Sequence, residues 1–101
     1  MHVDVIGDAA ITEQTRAYTE YRMFATLARF SRAIRGVRVT IKKTRTKASM
    51  RNIACEVTVM LDPSGSVRTR VSGPEAYVII DRAAERIGPL VYEQAGRRPS
   101  H

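Results

Sequence analysis

Val37-Arg38-Val39-Thr40-Ile41-Lys42 decides the fold. Three β-branched apolar residues alternate with Arg, Thr and Lys, and a period of two places alternate side chains on opposite faces of a strand. One face of this strand is apolar and belongs to a core. The other is polar and basic. Toward the C-terminus the period returns in Ile53, Cys55, Val57, Val59 and Leu61, and again in Val67, Thr69 and Val71, which alternate with Arg68 and Arg70. Asp62-Pro63-Ser64-Gly65 separates these two strands as a turn, because Pro sets φ and Gly supplies a positive φ. Lys43 to Met50 shows no apolar periodicity and reads as a flexible hairpin connection. Toward the N-terminus, Val3, Val5 and Ile6 before Gly7 form a short first strand closed by a turn.

Two stretches change period from two to three-four. Thr12 can cap a helix from about Glu13 to about Ala33, with Glu13 favourable in its first turn. Ala17, Tyr21, Phe24 and Ala28 form one apolar row, and Met23, Leu27, Phe30 and Ile34 a second; together they read as its buried face. Tyr18, Arg22, Ala25 and Arg29 then stack as an exposed ridge. Gly36 is expected to break this helix. Ser72-Gly73-Pro74-Glu75 opens a second helix, with Ser72 or Gly73 near the cap and Pro74 in the first turn. Its stripe is Ala76, Ile80, Ala83 and Ile87, broadened by Tyr77 and Ala84. Gly88-Pro89 is expected to kink or end it, since Pro lacks the backbone donor and crowds the preceding turn. The predicted core includes Met23, Leu27, Phe30, Ile53, Val57, Ile80 and Ile87.

The order strand, helix, three strands, helix predicts an α+β fold: a βαβββα two-layer sandwich, with a four-stranded mixed sheet backed by two helices on one face. The first two strands are joined through a helix and can pair in parallel; the later ones follow as a meander. The 101 residues suit one domain, expected over residues 1–95, with 96–101 as a flexible C-terminal tail.

Charge directs the functional reading. Between Tyr21 and Cys55 there is no acidic residue, yet the span holds Arg22, Arg29, Arg32, Arg35, Arg38, Lys42, Lys43, Arg45, Lys47 and Arg51. The net charge of the chain is +7. A folded surface of this kind faces a polyanion, and nucleic acid is the commonest. No apolar run approaches the roughly 20 residues of a membrane helix. The N-terminal run, with Asp4 and Asp8 among its apolar residues, does not read as a signal peptide, so a cytoplasmic protein without a membrane partner is expected. Cys55 stands alone in an apolar alternation and reads as a packing residue. His2 and His101 are the only histidines and lie at opposite termini, so no metal-ligand cluster forms. There is no glycine-rich phosphate loop and no paired-carboxylate motif. Neither a cofactor, a small-molecule substrate nor enzymatic activity is expected.

The candidate RNA-binding residues are Tyr18, Arg22, Arg29, Arg82 and Arg86 on the helices, with Arg38, Lys42, Lys43, Arg45 and Lys47 around the hairpin. Arginine and lysine neutralise phosphates, and arginine adds bidentate contacts and stacking. For any single arginine the plain alternative is a solvated charge or a local pair, such as Arg82 with Glu85. Tyr18 can stack on a base or cover the core edge, and both readings stay open; Tyr77 reads as a packing residue.

Four stretches give the chain a resemblance to the ribosome hibernation-promoting factors, also called ribosome-associated inhibitor A or sigma-54 modulation proteins. They are His2-Val3-Asp4-Val5-Ile6-Gly7; Ile11-Thr12-Glu13 with Arg16 and Tyr18; Arg29-Phe30 with Ile34 and Val37-Arg38-Val39; and Ala76-Tyr77-Val78-Ile79-Ile80-Asp81-Arg82-Ala83-Ala84-Glu85-Arg86. They extend over roughly Val3 to Tyr92, and the chain resembles a short form without the second domain of long members. The resemblance implies a βαβββα fold, two parallel helices, and binding to 16S rRNA of the small ribosomal subunit in the channel of messenger and transfer RNAs, which inhibits translation in idle ribosomes. It places Arg22 and Arg86 where the family carries a basic residue in each helix, Arg29 at the helix exit, and Tyr18 and Tyr77 at recurring tyrosines. Two other classes compete: a generic double-stranded-RNA-binding module, and a regulatory domain that binds a protein through its sheet.

Overall fold

The computed structural model describes residues 1–8, 11–46 and 49–96. Its elements are β1 (Val3–Gly7), α1 (Glu13–Leu27), a 3-10 segment (Ala28–Ala33), β2 (Ile34–Thr46), β3 (Ser49–Leu61), β4 (Ser66–Gly73) and α2 (Ala76–Gly96). The sheet order is β1-β2-β3-β4. β1 pairs parallel to β2, with Val5 opposite Val39. β2–β3 and β3–β4 are antiparallel, with Val39 opposite Val57 and Val57 opposite Thr69. This is the α+β sandwich with a mixed four-stranded sheet that the alternation predicts. Gly65 adopts φ 96°, as its turn requires.

The core lies between one sheet face and the helices. Val37, Val39, Ile41, Cys55, Val57, Val59 and Leu61 meet Met23, Leu27, Ile79, Ile80, Ala83, Ala84, Ile87 and Val91 there. Phe30 and Ile53, expected inside, are half-buried and pack on its margin. The helices run parallel: Tyr18 meets Tyr77, Thr26 meets Gly88 and Phe30 meets Tyr92, in the same order along both.

The buried face of α1 differs from the apolar rows. Ala17, Tyr21 and Phe24 are exposed, and the residues turned inward are Thr15, Thr19, Met23 and Leu27. Threonine can occupy this face because its hydroxyl is satisfied locally. Thr19 Oγ1 donates to the Thr15 carbonyl (2.7 Å), and the Thr15 N–H donates to Thr12 Oγ1 (3.1 Å), which also confirms Thr12 as the N-cap. The α-helix ends at Leu27 rather than near Ala33; the chain tightens into i→i+3 bonding, a common way to close a helix. Gly36 therefore breaks no helix. It lies in β2 at a register shift, where a Cβ would approach Met60 Cε at 3.1 Å.

Lys43 to Thr46 and Ser49 onward are strand, not loose connection, and the ladder continues through Lys43–Ile53 and Thr44–Asn52 to Thr46–Ser49. Backbone pairing needs no apolar period, and the Asn52 amide adds a hydrogen bond to Thr44 Oγ1 (3.1 Å). β1 is last paired at Ile41 and β4 at Ile53, so beyond these points β2 and β3 pair with each other alone, as a two-stranded ribbon. α2 begins later than Ser72-Gly73 implies. β4 runs to Gly73, and the first helical bond joins the Ile79 N–H to the Glu75 carbonyl. α2 also continues through Gly88-Pro89 to Gly96. Pro89 is exposed, so water can satisfy the carbonyl its missing N–H leaves free. In the stripe, Ile80, Ala83, Ala84 and Ile87 are buried as expected, Ala76 is half-buried, and Tyr77 is exposed. Of the expected tail, Gly96 closes α2 and 97–101 lie outside the described residues.

Candidate nucleic-acid interface

The predicted residues fall on three separate surfaces. The first is the seam between the helices. Tyr18 and Arg22 project from α1 toward α2 and converge on Asp81. Tyr18 Oη donates to Asp81 Oδ1 (2.5 Å), Arg22 Nε donates to the same oxygen (3.1 Å), and Arg22 Nη1 donates to Thr26 Oγ1 (2.9 Å). The Tyr18 ring meets the Tyr77 ring edge-on at 4.8 Å. Tyr18 and Arg22 are half-buried, so they do not form one exposed ridge with Ala25 and Arg29. The hydrogen bond to Asp81, then burial and the Asp81 charge, raise the Tyr18 pKa, against a smaller opposing effect of Arg22. Sequence separation hid this cluster: Asp81 lies far along the chain from both partners.

The second surface is the outside of the helical layer. Arg29 is exposed in the 3-10 segment, its guanidinium 4.6 Å from the centre of the Phe30 ring. Arg82 and Arg86 are exposed on α2, four residues apart and therefore neighbours on one face. None of the three makes an ion pair among the described residues, and Arg82 does not pair with Glu85.

The third surface is the sheet face away from the helices, with the ribbon. Arg38, Thr40 and Lys42 occupy it from β2; Asp4 lies across from Arg38, and Glu56 from Thr40. Thr40, Lys42, Thr44, Ala54, Glu56 and Arg70 line a hollow of about 150 Å³. Lys43 and Arg45 are exposed on β2, and the Lys43 N–H donates to Asp8 Oδ2 (3.2 Å). Lys47 lies outside the described residues.

Arg68 and Arg70, outside the set of residues expected to bind RNA, are exposed on β4. Both belong to this sheet face: Arg70 lies opposite Glu56 and Arg68 opposite Thr58, with Arg68 Nε 3.9 Å from Glu56 Oε1 and 3.3 Å from Thr58 Oγ1. The signal was available, because they alternate with Val67 and Val71 as Arg38 and Lys42 alternate with Val39 and Ile41. Burial pushes the Cys55 thiol up to about 12, so it stays protonated and inert at neutral pH. Among the described residues no group of His, Cys, Asp and Glu is placed to hold a metal, and no helix is long and apolar enough to cross a membrane.

Parallel helices on one side of a mixed four-stranded sheet, with cations distributed over both layers, define a class of small basic α+β domains. Within it, this chain belongs to the Sigma 54 modulation protein / S30EA ribosomal protein family, whose family model matches residues 5–98. That family is ribosome-associated. Among solved structures the chain is similar to the Thermus thermophilus Protein Y N-terminal domain, at 27% identity and a TM-score of 0.75, over 93% of this chain and 99% of that one. It shares the fold of a ribosomal subunit interface protein from Coxiella burnetii, at 14% identity and a TM-score of 0.78, over 96% of this chain and 100% of that one. Comparison with curated proteins gives no match.

Proposed function

We propose that the protein binds the small ribosomal subunit through 16S rRNA, in the channel of messenger and transfer RNAs, and inhibits translation by occupying it. The observation that carries this reading is membership, over residues 5–98, of a ribosome-associated family. The surface supports it physically. Arg29, Arg82 and Arg86 on the helical layer, and Arg38, Lys42 and Arg70 on the sheet, make no ion pair among the described residues, so their charge is available to phosphates. Cations on both layers suit a partner that surrounds the domain better than a single duplex laid against one helix. The protein acts by occupancy, and no bond is made or broken.

Co-sedimentation with purified ribosomal subunits on a sucrose gradient tests the reading. The protein is expected with the small subunit at low salt and to leave it steeply as salt rises, because neutralising several phosphates releases several counterions. Protein that stays at the top of the gradient at both low and moderate salt sinks the proposal. Retention that is flat in salt would indicate a protein contact instead.

A further inference from the structure

The four tyrosines and two phenylalanines all lie on the helical layer: Tyr18, Tyr21 and Phe24 on α1, Phe30 in the 3-10 segment, Tyr77 and Tyr92 on α2. None belongs to the buried core, which is built from aliphatic residues, Met23 and Cys55. Aromatic side chains are ordinarily the largest apolar contributors to a core, so their placement outside it calls for a partner. One group is assembled by contact. Phe30 is anchored on the core margin, the Arg29 guanidinium lies over its ring at 4.6 Å, and the Tyr92 ring stands 6.2 Å from it at 57°. Tyr92 remains 67% exposed.

We propose that Arg29, Phe30 and Tyr92 form a stacking platform for an unpaired nucleobase at the C-terminal end of the helical layer. This rests on the RNA-binding reading and adds to it a contact with a base rather than a phosphate. Charge selects the occupant. Arg29 makes no ion pair among the described residues, and a nucleotide supplies a planar π face for Tyr92 together with a phosphate for the guanidinium. An apolar protein segment on the same spot would bury Arg29 without a counter-charge, and a second copy of a chain of net charge +7 would be repelled.

Fluorescence anisotropy with a labelled single-stranded RNA oligonucleotide, and with the same ribose-phosphate chain lacking bases, tests this. Tyr92→Ala is expected to weaken binding of the base-bearing RNA on the order of tenfold, with an unchanged salt slope because no charge is altered. Tyr92→Phe is expected to keep affinity within about twofold, since the π face remains. Both variants and the unaltered protein are expected to bind the abasic chain alike. Equal affinity of Tyr92→Ala and the unaltered protein for the base-bearing RNA, an equal loss on the abasic chain, or no preference of the unaltered protein for bases each overturns the platform. Co-sedimentation with the small subunit then stands or falls separately, so failure of the platform is distinguishable from failure of ribosome binding. Matching thermal melts of the three proteins confirm that the fold is intact.

Discussion

Asp81 gathers Tyr18 and Arg22 across the helix seam, and the consequences can be measured one side chain at a time. Because the Tyr18 pKa is raised, the neutral phenol is the form the fold favours. Its stabilising contribution is complete below the ordinary value of 10.0 and is lost as pH rises through the raised one. Asp81→Ala removes the acceptor and its charge and leaves Arg22, which lowers the value. Ultraviolet titration of tyrosinate, with Tyr18→Phe used to identify the signal, is expected to show the Tyr18 midpoint falling back toward the ordinary value of 10.0. A midpoint that does not move would mean that Asp81 is not its partner. The same contact changes how Arg22 can be tested: Arg22→Glu would set two carboxylates side by side, so lost RNA binding in that variant would not separate docking from folding. At the core, Leu27 is fully buried and Phe30 only half so. Leu27→Ala should cost about 2–5 kcal/mol and Phe30→Ala about 1–2 kcal/mol in urea unfolding. A reversed order would show that the margin and the centre of the core are misplaced.

Between elements, the close approach of α1 and α2 turns on Gly88. A Cβ there would meet Thr26 Cγ2 at 3.3 Å, tighter than ordinary van der Waals contact. Alanine in place of glycine favours a helix by up to about 1 kcal/mol, and the crowding opposes it. Gly88→Ala alone is therefore expected within about 0.5 kcal/mol of neutral. Thr26→Ser removes Cγ2 but keeps the hydroxyl that accepts from Arg22. In that background Gly88→Ala should stabilise by several tenths of a kcal/mol more, giving a positive coupling in a double-mutant cycle. Strict additivity would mean that the seam does not close on this residue. The pair also explains why Gly88-Pro89 does not stop α2. Gly88 admits the neighbouring helix, Pro89 faces solvent, and burial of Val91 secures the final turns.

For the whole molecule, the two basic layers make docking separable from bulk charge. Arg82→Glu with Arg86→Glu, and Arg38→Glu with Arg70→Glu, change the net charge equally but act on opposite layers. All four side chains are exposed, so the fold should survive. If the domain sits in a defined rRNA site, the two double variants are expected to lose small-subunit binding to different extents, by tenfold or more for the layer that makes the closer phosphate contacts. Equal losses would mean that total charge alone governs binding, which favours a generic RNA-binding module.

Much of this architecture is legible in the chain itself. Alternation at Val37 to Lys42, Ile53 to Leu61 and Val67 to Val71 determines three strands and their inward faces, because one residue of slip would turn every apolar side chain to water. Thr12, Gly65 and the acid-free basic span are legible too, since capping, positive φ and charge are local properties. The tertiary structure alone decided the rest. Apolarity assigned Tyr21 and Phe24 to the core, yet Thr15 and Thr19 took that face, because a threonine whose hydroxyl bonds within its own helix packs as a small side chain. The seam of Tyr18, Arg22 and Asp81 joins residues far apart in the chain, and no local pattern encodes such a meeting. Whether a cation is free for a phosphate or held by a carboxylate depends on what the fold brings beside it.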